Sequence, residues 1–185
     1  MSNQVNSTKV VTGKVRFCYV NVFEPTAMNE GDIPKYNICV LIPKDDAKTL
    51  DKINKAIEAA KQAGKAKLAD KNGKIPSNLK LPLRDGDDER GDDPAFEGMY
   101  FINANSQHKP SIVDKDLNPI MEKEEFYSGC YGRASINFYA FNVSSKGIAA
   151  GLNNLQKLED GEMLAGGSTA EEDFGGENEW DDELM

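Results

Sequence analysis

The run Arg133-Ala-Ser-Ile-Asn-Phe-Tyr-Ala-Phe141 alternates in a way that separates two chemistries. On a strand, Ala134, Ile136, Phe138 and Ala140 share one face, while Arg133, Ser135, Asn137, Tyr139 and Phe141 share the other. The first set suits a barrel interior. The second offers a cation, polar groups and rings, the parts needed to hold planar groups strung on anions. A nucleic-acid base stacked on an aromatic face contributes roughly 1–3 kcal/mol, and cations track the phosphates. Tyr127 and Tyr131 lie just upstream, and Tyr19 stands near Arg16. The candidate contact set is therefore Arg16, Tyr19, Tyr127, Tyr131, Arg133, Asn137 and Tyr139. A competing reading assigns each ring to the core or to sheet packing. It fits any single ring better than the whole group, because Tyr and Arg are costly to bury without partners.

Charge is divided along the chain. The net charge is −9, yet residues 158–185 carry eleven acids and no base, so the body is +2 and the tail −11. An acidic block at a terminus is typical of an interaction tail. This one also holds Phe174, the sole tryptophan Trp180, and an apolar end, Leu184-Met185. Spaced carboxylates resemble phosphates and the rings resemble bases, so the tail can compete for a polyanion site and dock on partner proteins. The alternative is a solubilising tail. From Gly161 onward the composition is that of disordered chain.

Other chemistries find less material. The three cysteines, Cys18, Cys39 and Cys130, are odd in number and far apart, which suits reduced buried thiols. His108 is the only histidine, too few for a zinc set with them and little for acid–base work near neutrality. Asp85, Asp87 and Glu89 alternate as in a calcium loop, but Arg90 stands where glycine is needed and Phe96 where the last carboxylate is needed. A solvated loop is the simpler reading. These points describe a binder, not an enzyme, with no cofactor or metal.

The elements that must position the candidates follow from periodicity. Residues 9–23 read as one long strand, with Val15, Phe17, Tyr19, Asn21 and Phe23 on a common face; 35–42 read as a second. Ala47, Leu50, Ile53, Ile57 and Ala60 recur at helical spacing, with Asp45 or Asp46 as N-cap and Gly64 as stop. Segment 44–80 holds ten lysines, more simply a solvated face than a second contact surface. Residues 84–98 resist regular structure, 99–104 and 109–114 read as strands, and 126–143 form the longest strand-like stretch, with bulges suggested at Gly129 and Gly132. Residues 148–158 return as a final strand. The expected fold is mainly β: an OB-fold-like β-barrel of five to six strands with one helix and extended loops. Its expected limits are 9–158, between a flexible N-terminus, 1–8, and a disordered acidic tail, 159–185.

Three stretches carry a family resemblance: Pro82-Leu-Arg-Asp-Gly-Asp87, Glu125-Phe-Tyr-Ser-Gly-Cys-Tyr-Gly-Arg-Ala-Ser-Ile-Asn-Phe-Tyr-Ala-Phe141 and Lys146-Gly-Ile-Ala-Ala-Gly-Leu-Asn-Asn-Leu-Gln-Lys157. Together with Glu171-Glu-Asp-Phe174 they resemble a group of phage and prophage proteins long catalogued as a domain of unknown function, whose better-understood members bind single-stranded DNA. More distantly the chain resembles T7-type single-strand binders, whose acidic tails end in an aromatic, whereas this one ends in Leu184-Met185. The resemblance implies an OB-type barrel, service in phage replication or recombination, no catalysis, and replication or recombination proteins as partners of the tail. A homodimer is among the oligomeric states the sequence allows. No run of eighteen apolar residues exists to span a membrane, and the polar start, Met1 to Thr8, lacks a signal peptide, so cytoplasmic residence is expected, in the bacterial host if the gene is a phage's. The rival readings are a protein-interaction or assembly module without nucleic-acid binding, and a magnesium nuclease using the acidic loop.

Overall fold

The computed structural model describes residues 7–27 and 29–164. Eight strands form one sheet: β1 (Lys9–Val11), β2 (Val15–Thr26), β3 (Lys35–Pro43), β4 (Arg84–Asp85), β5 (Met99–Ser106), β6 (Ser111–Val113), β7 (Tyr131–Asn142) and β8 (Lys146–Glu159). Five of them, in the order β7–β2–β3–β5–β8, close on themselves through the β7–β8 pairing. The mainly β barrel read from the sequence is thus the observed fold. β1, β4 and β6 are short strands added to β7, β5 and β8.

The helix α1 (Ala47–Ala63) begins where Asp46 accepts a hydrogen bond from the Thr49 N–H and ends at Gly64. Its apolar face buries Ile53, Ala56, Ile57 and Ala60 against β7, β1 and β8. One-turn helices α2 (Lys65–Leu68) and α3 (Gly86–Glu89) and a 3-10 turn at Pro94–Phe96 accompany it. The loop expected to be irregular is therefore largely ordered. Asp85 caps α3, Asp93 caps the 3-10 turn, and Phe96 is buried.

The barrel interior takes the set that alternation assigned to it: Ala134, Ile136, Phe138 and Ala140 are all buried, beside Ile38, Val40, Ile42, Ile102 and Leu152. Strand β7 begins only at Tyr131; Gly129 sits in the preceding turn and Gly132 at a register shift against β8. A Cβ on Gly132 would lie 1.9 Å from the Gln156 carbonyl oxygen, which is why glycine stands there.

Strand β2 departs from simple alternation. The long strand expected over 9–23 breaks at Thr12–Lys14, and β2 carries register shifts against β3 between Cys18 and Asn21 and again before Thr26. Tyr19 has φ 47°, in the left-handed region. Before this bulge Val15 and Phe17 point inward; after it Val22 does, while Tyr19 and Asn21 line the outer surface. The common face expected for Val15, Phe17, Tyr19, Asn21 and Phe23 is thus split, because a bulged residue shifts the two-residue period. The freed N–H of Val20 is satisfied by Ser128 Oγ at 3.1 Å.

Candidate nucleic-acid interface

Register aligns the outer face of the barrel into rows. One row runs Tyr131–Arg16–Leu41–Phe101 across β7, β2, β3 and β5. The next is Cys18–Cys39–Asn103, and the third is Asn21–Asn37–Asn105. The apolar part of the first two rows, Cys18, Cys39, Leu41 and Phe101, forms a second, smaller core with Phe96 of the 3-10 turn, against which Leu164 packs. The third row is not covered among the described residues. It floors a groove of about 900 Å³ lined by Tyr19, Asn21, Lys35, Asn37, Asn103 and Asn105.

Tyr19 stands at one end of this groove, 45% exposed. Its hydroxyl accepts from Arg90 Nη2 at 2.8 Å, and the Arg90 guanidinium lies 5.4 Å from the Tyr19 ring and 4.9 Å from that of Phe96. The acidic loop thus delivers a cation to the site. Its three alternating carboxylates are engaged elsewhere: Asp85 and Asp87 each lie 2.7 Å from Lys44 Nζ, and Glu89 pairs with Arg84. Hydrogen bonding to Lys44 holds both aspartates below the ordinary carboxylate range, and the Gly98 N–H assists at Asp87. This clamp occupies the carboxylates that the calcium and nuclease readings would need.

A second cation-aromatic cluster lies where β2 meets β7. Lys14 and Arg16 stand 5.2 and 5.3 Å from the Tyr131 ring, and Lys157 stands 5.2 Å from the Tyr127 ring. The segment 160–164 crosses this cluster. Asp160 bonds Lys157 Nζ at 2.6 Å and accepts from the Tyr127 hydroxyl at 2.9 Å, which together keep its carboxyl below the usual range. Arg16 donates from Nη2 to the Glu162 carbonyl at 2.7 Å and from Nε to that of Gly129 at 3.0 Å. The Leu164 N–H donates to the Ser128 carbonyl at 2.8 Å. A Cβ on Gly161 would lie 2.1 Å from the Gly129 oxygen, so the crossing needs glycine. The course from Asp160 to Leu164 runs from the Tyr127 cluster toward the smaller core beside the groove.

The structure distributes the sequence candidates over one surface in three places. Arg16, Tyr127 and Tyr131 come together. Arg133, Asn137 and Tyr139 continue along the outer face of β7, where Arg133 Nε donates to the Thr12 carbonyl and Asn137 Oδ1 accepts from Thr8 Oγ1, each at 2.9 Å. Tyr139 is 43% exposed. Tyr19 is apart from both, in the groove. Phe174, Trp180, Leu184 and Met185 lie outside the described residues. Sequence reasoning missed Lys14, Lys157, Arg90 and the asparagine row. The available signal was asparagine inside strands, where it is normally depleted.

A protein of Acyrthosiphon pisum secondary endosymbiont phage 1, described as "Putative protein p50", is 28% identical over 166 residues, covering 88% of this chain and 89% of the relative. Bacteriophage Enc34's single-stranded DNA-binding protein, solved in complex with ssDNA, superposes with a TM-score of 0.74 at 27% identity, covering 85% of this chain and 90% of that one. Bacteriophage T7's single-stranded DNA-binding protein shares the fold at 14% identity and a TM-score of 0.61, covering 87% of this chain and 97% of that one. The family model described as the ssDNA-binding protein of Enterobacter phage Enc34 matches residues 8–185, and the chain belongs to that family.

Proposed function

We propose that this chain is a phage-type single-stranded DNA-binding protein, without catalytic activity, that lays the strand over the outer face of β2, β3 and β5. Bases enter the groove at Tyr19. The phosphates run past Lys35 at one end and the Lys14–Arg16–Tyr131 cluster at the other. The observation that carries this reading is the pairing of rings with cations at two places on the outer surface: the exposed Tyr19 under Arg90, and the half-buried Tyr131 between Lys14 and Arg16, where Glu159 and the Glu162 carbonyl now hold the cations. Rings supply stacking without sequence preference, and cations supply salt-dependent attraction to the backbone. Family membership supports the same ligand.

The acidic tail acts as an intramolecular competitor. Support comes from its first residues: Asp160 takes Lys157 and the Tyr127 hydroxyl as a phosphate would, and Glu162 takes Arg16 through its carbonyl. The carboxylates and rings further along, including Phe174 and Trp180, cover the groove when DNA is absent. Once displaced, they recruit replication or recombination proteins. Among the described residues no helix is long and apolar enough to cross a membrane, and the bacterial host cytoplasm is where such a protein would meet exposed single strands. Fluorescence anisotropy with labelled oligo-dT tests the reading. Binding that weakens as salt rises supports it, and absence of binding at low salt would refute it.

A further inference from the structure

Asn21, Asn37 and Asn105 are register partners on three adjacent strands, and Asn103 stands two residues along β5 on the same face. Asparagine competes with the ladder through its own side chain and is depleted from strands. Four of them lining one patch of central strands run against local preference. Sequences break such rules where a site requires it. The neighbouring rows show the contrast: Cys18, Cys39, Leu41 and Phe101 are apolar and lie beneath Phe96 and Leu164.

The hydrogen bonds orient this floor. Asn21 Nδ2 donates to Asn37 Oδ1 at 3.0 Å, and Asn37 Nδ2 donates to Thr26 Oγ1 at 3.1 Å. That chain fixes two carboxamide planes. The side chains of Asn103 and Asn105 have no hydrogen-bond partner among the described residues, and neither has Asn21 Oδ1. The floor therefore offers acceptors as well as donors. A phosphate, which accepts only, is poorly served by acceptors. A base edge, which carries donors and acceptors side by side, is matched by a carboxamide.

We propose that the Asn21–Asn37–Asn105 row, with Asn103 beside it, hydrogen-bonds the edge of an unpaired base seated against Tyr19, so that affinity depends on base edges and not only on stacking and charge. The inference rests on the single-strand-binding reading above and deepens it.

The experiment uses the full chain and anisotropy with three labelled oligomers of equal length. These are oligo-dT, an oligomer of difluorotoluene deoxynucleotides, which keeps the shape of thymine without its hydrogen-bonding edge, and an abasic oligomer. Oligo-dT is expected to bind about tenfold more tightly than the difluorotoluene oligomer, as one or two edge hydrogen bonds would give. Asn105→Ala, and separately Asn103→Ala, should narrow that ratio severalfold while leaving difluorotoluene affinity and salt dependence unchanged. Circular dichroism checks that each variant folds, and the comparison on the unaltered protein needs no variant. Equal affinity for oligo-dT and the difluorotoluene oligomer, both tighter than the abasic one, would overturn the inference and leave single-strand binding intact. So would a tenfold ratio that persists in both folded variants. Failure of all three oligomers to bind at low salt would remove the underlying reading itself.

Discussion

The Tyr19 hydroxyl accepts a 2.8 Å hydrogen bond from Arg90, seventy-one residues away, while the Tyr19 backbone sits at φ 47°. A left-handed conformation at a residue with a Cβ costs about 1–2 kcal/mol. The strain is held at the mouth of the groove, where an aimed ring is useful. Tyr19→Gly should therefore fold more stably than Tyr19→Ala by about 1 kcal/mol, while both lose about 1–3 kcal/mol of oligo-dT affinity through lost stacking. Chemical denaturation and anisotropy on the pair separate the two effects. Equal stability of the two variants would show that the backbone is not strained there.

Arg90 is expected to matter through Tyr19. Arg90→Met keeps an unbranched apolar chain at this position but removes the phenol's hydrogen-bond donor and the cation over the Tyr19 and Phe96 rings, each an exposed contact of about 0.5–1 kcal/mol. The expected outcome is a modest loss of oligo-dT affinity that largely disappears when tested on Tyr19→Ala, a coupling a double-mutant cycle measures. Additive losses would show that Arg90 meets the phosphates independently.

Truncation after Leu164 keeps Asp160 and Glu162 on Lys157, Tyr127 and Arg16 and keeps Leu164 on the smaller core, yet removes most of the tail's acids. Oligo-dT affinity at low salt should rise, and the gain should shrink as salt screens the tail. The log–log salt slope of the truncated protein should be about 2–4, for roughly three to five neutralised phosphates on a single strand. Unchanged affinity at low salt would eliminate the competitor and spare the groove.

Acid should loosen the 85–97 segment through Lys44. Asp85 and Asp87 ionise below their ordinary range because Lys44 hydrogen-bonds them. Their contribution is therefore complete above the unfolded carboxylate value and is lost as pH falls through the depressed folded values, below about pH 4. Lys44 is correspondingly raised, so the clamp is also complete below the ordinary lysine value and fails only in strong alkali. Thermal melts from pH 2.5 to 6 should show a smaller acid-side drop for Lys44→Met than for the unaltered protein. An identical drop would mean that the clamp does not couple to folding.

The thiols should be silent in the native state. Hydrogen bonding to its partner Cys18, then burial, pushes Cys39 upward, and burial pushes Cys130 upward. All three cysteines are buried and free. A disulfide-exchange reagent at mildly alkaline pH should react with them only on the timescale of unfolding. Rapid modification of the folded protein would contradict the buried arrangement.

Much of the fold was legible locally. The helix over 47–63 was marked by apolar spacing, by an aspartate before it and by Gly64 after it. The inward set of β7 followed from alternation alone, because a strand with one buried face must repeat every two residues. The Tyr127, Tyr131 and Arg16 cluster was half legible: the residue types were visible, but Lys14, Lys157 and the crossing of 160–164 were not. The 85–97 loop was misjudged as irregular because its order comes from Lys44 and from burial of Phe96, neither of which leaves a periodic trace.

The amino-acid order by itself determined where most of the longer strands and the long helix form, which residues of β7 face inward, and the division of charge between a near-neutral body and an acidic tail. These are properties of neighbours along the chain. Only the tertiary structure decided that Tyr19 leaves the face of Phe17, that Asn21, Asn37 and Asn105 stand in one row, and that Arg90 reaches Tyr19. Each of these depends on the register between strands or on packing between distant segments. A single bulge is enough to reassign a whole face, and no local pattern in β2 announces it.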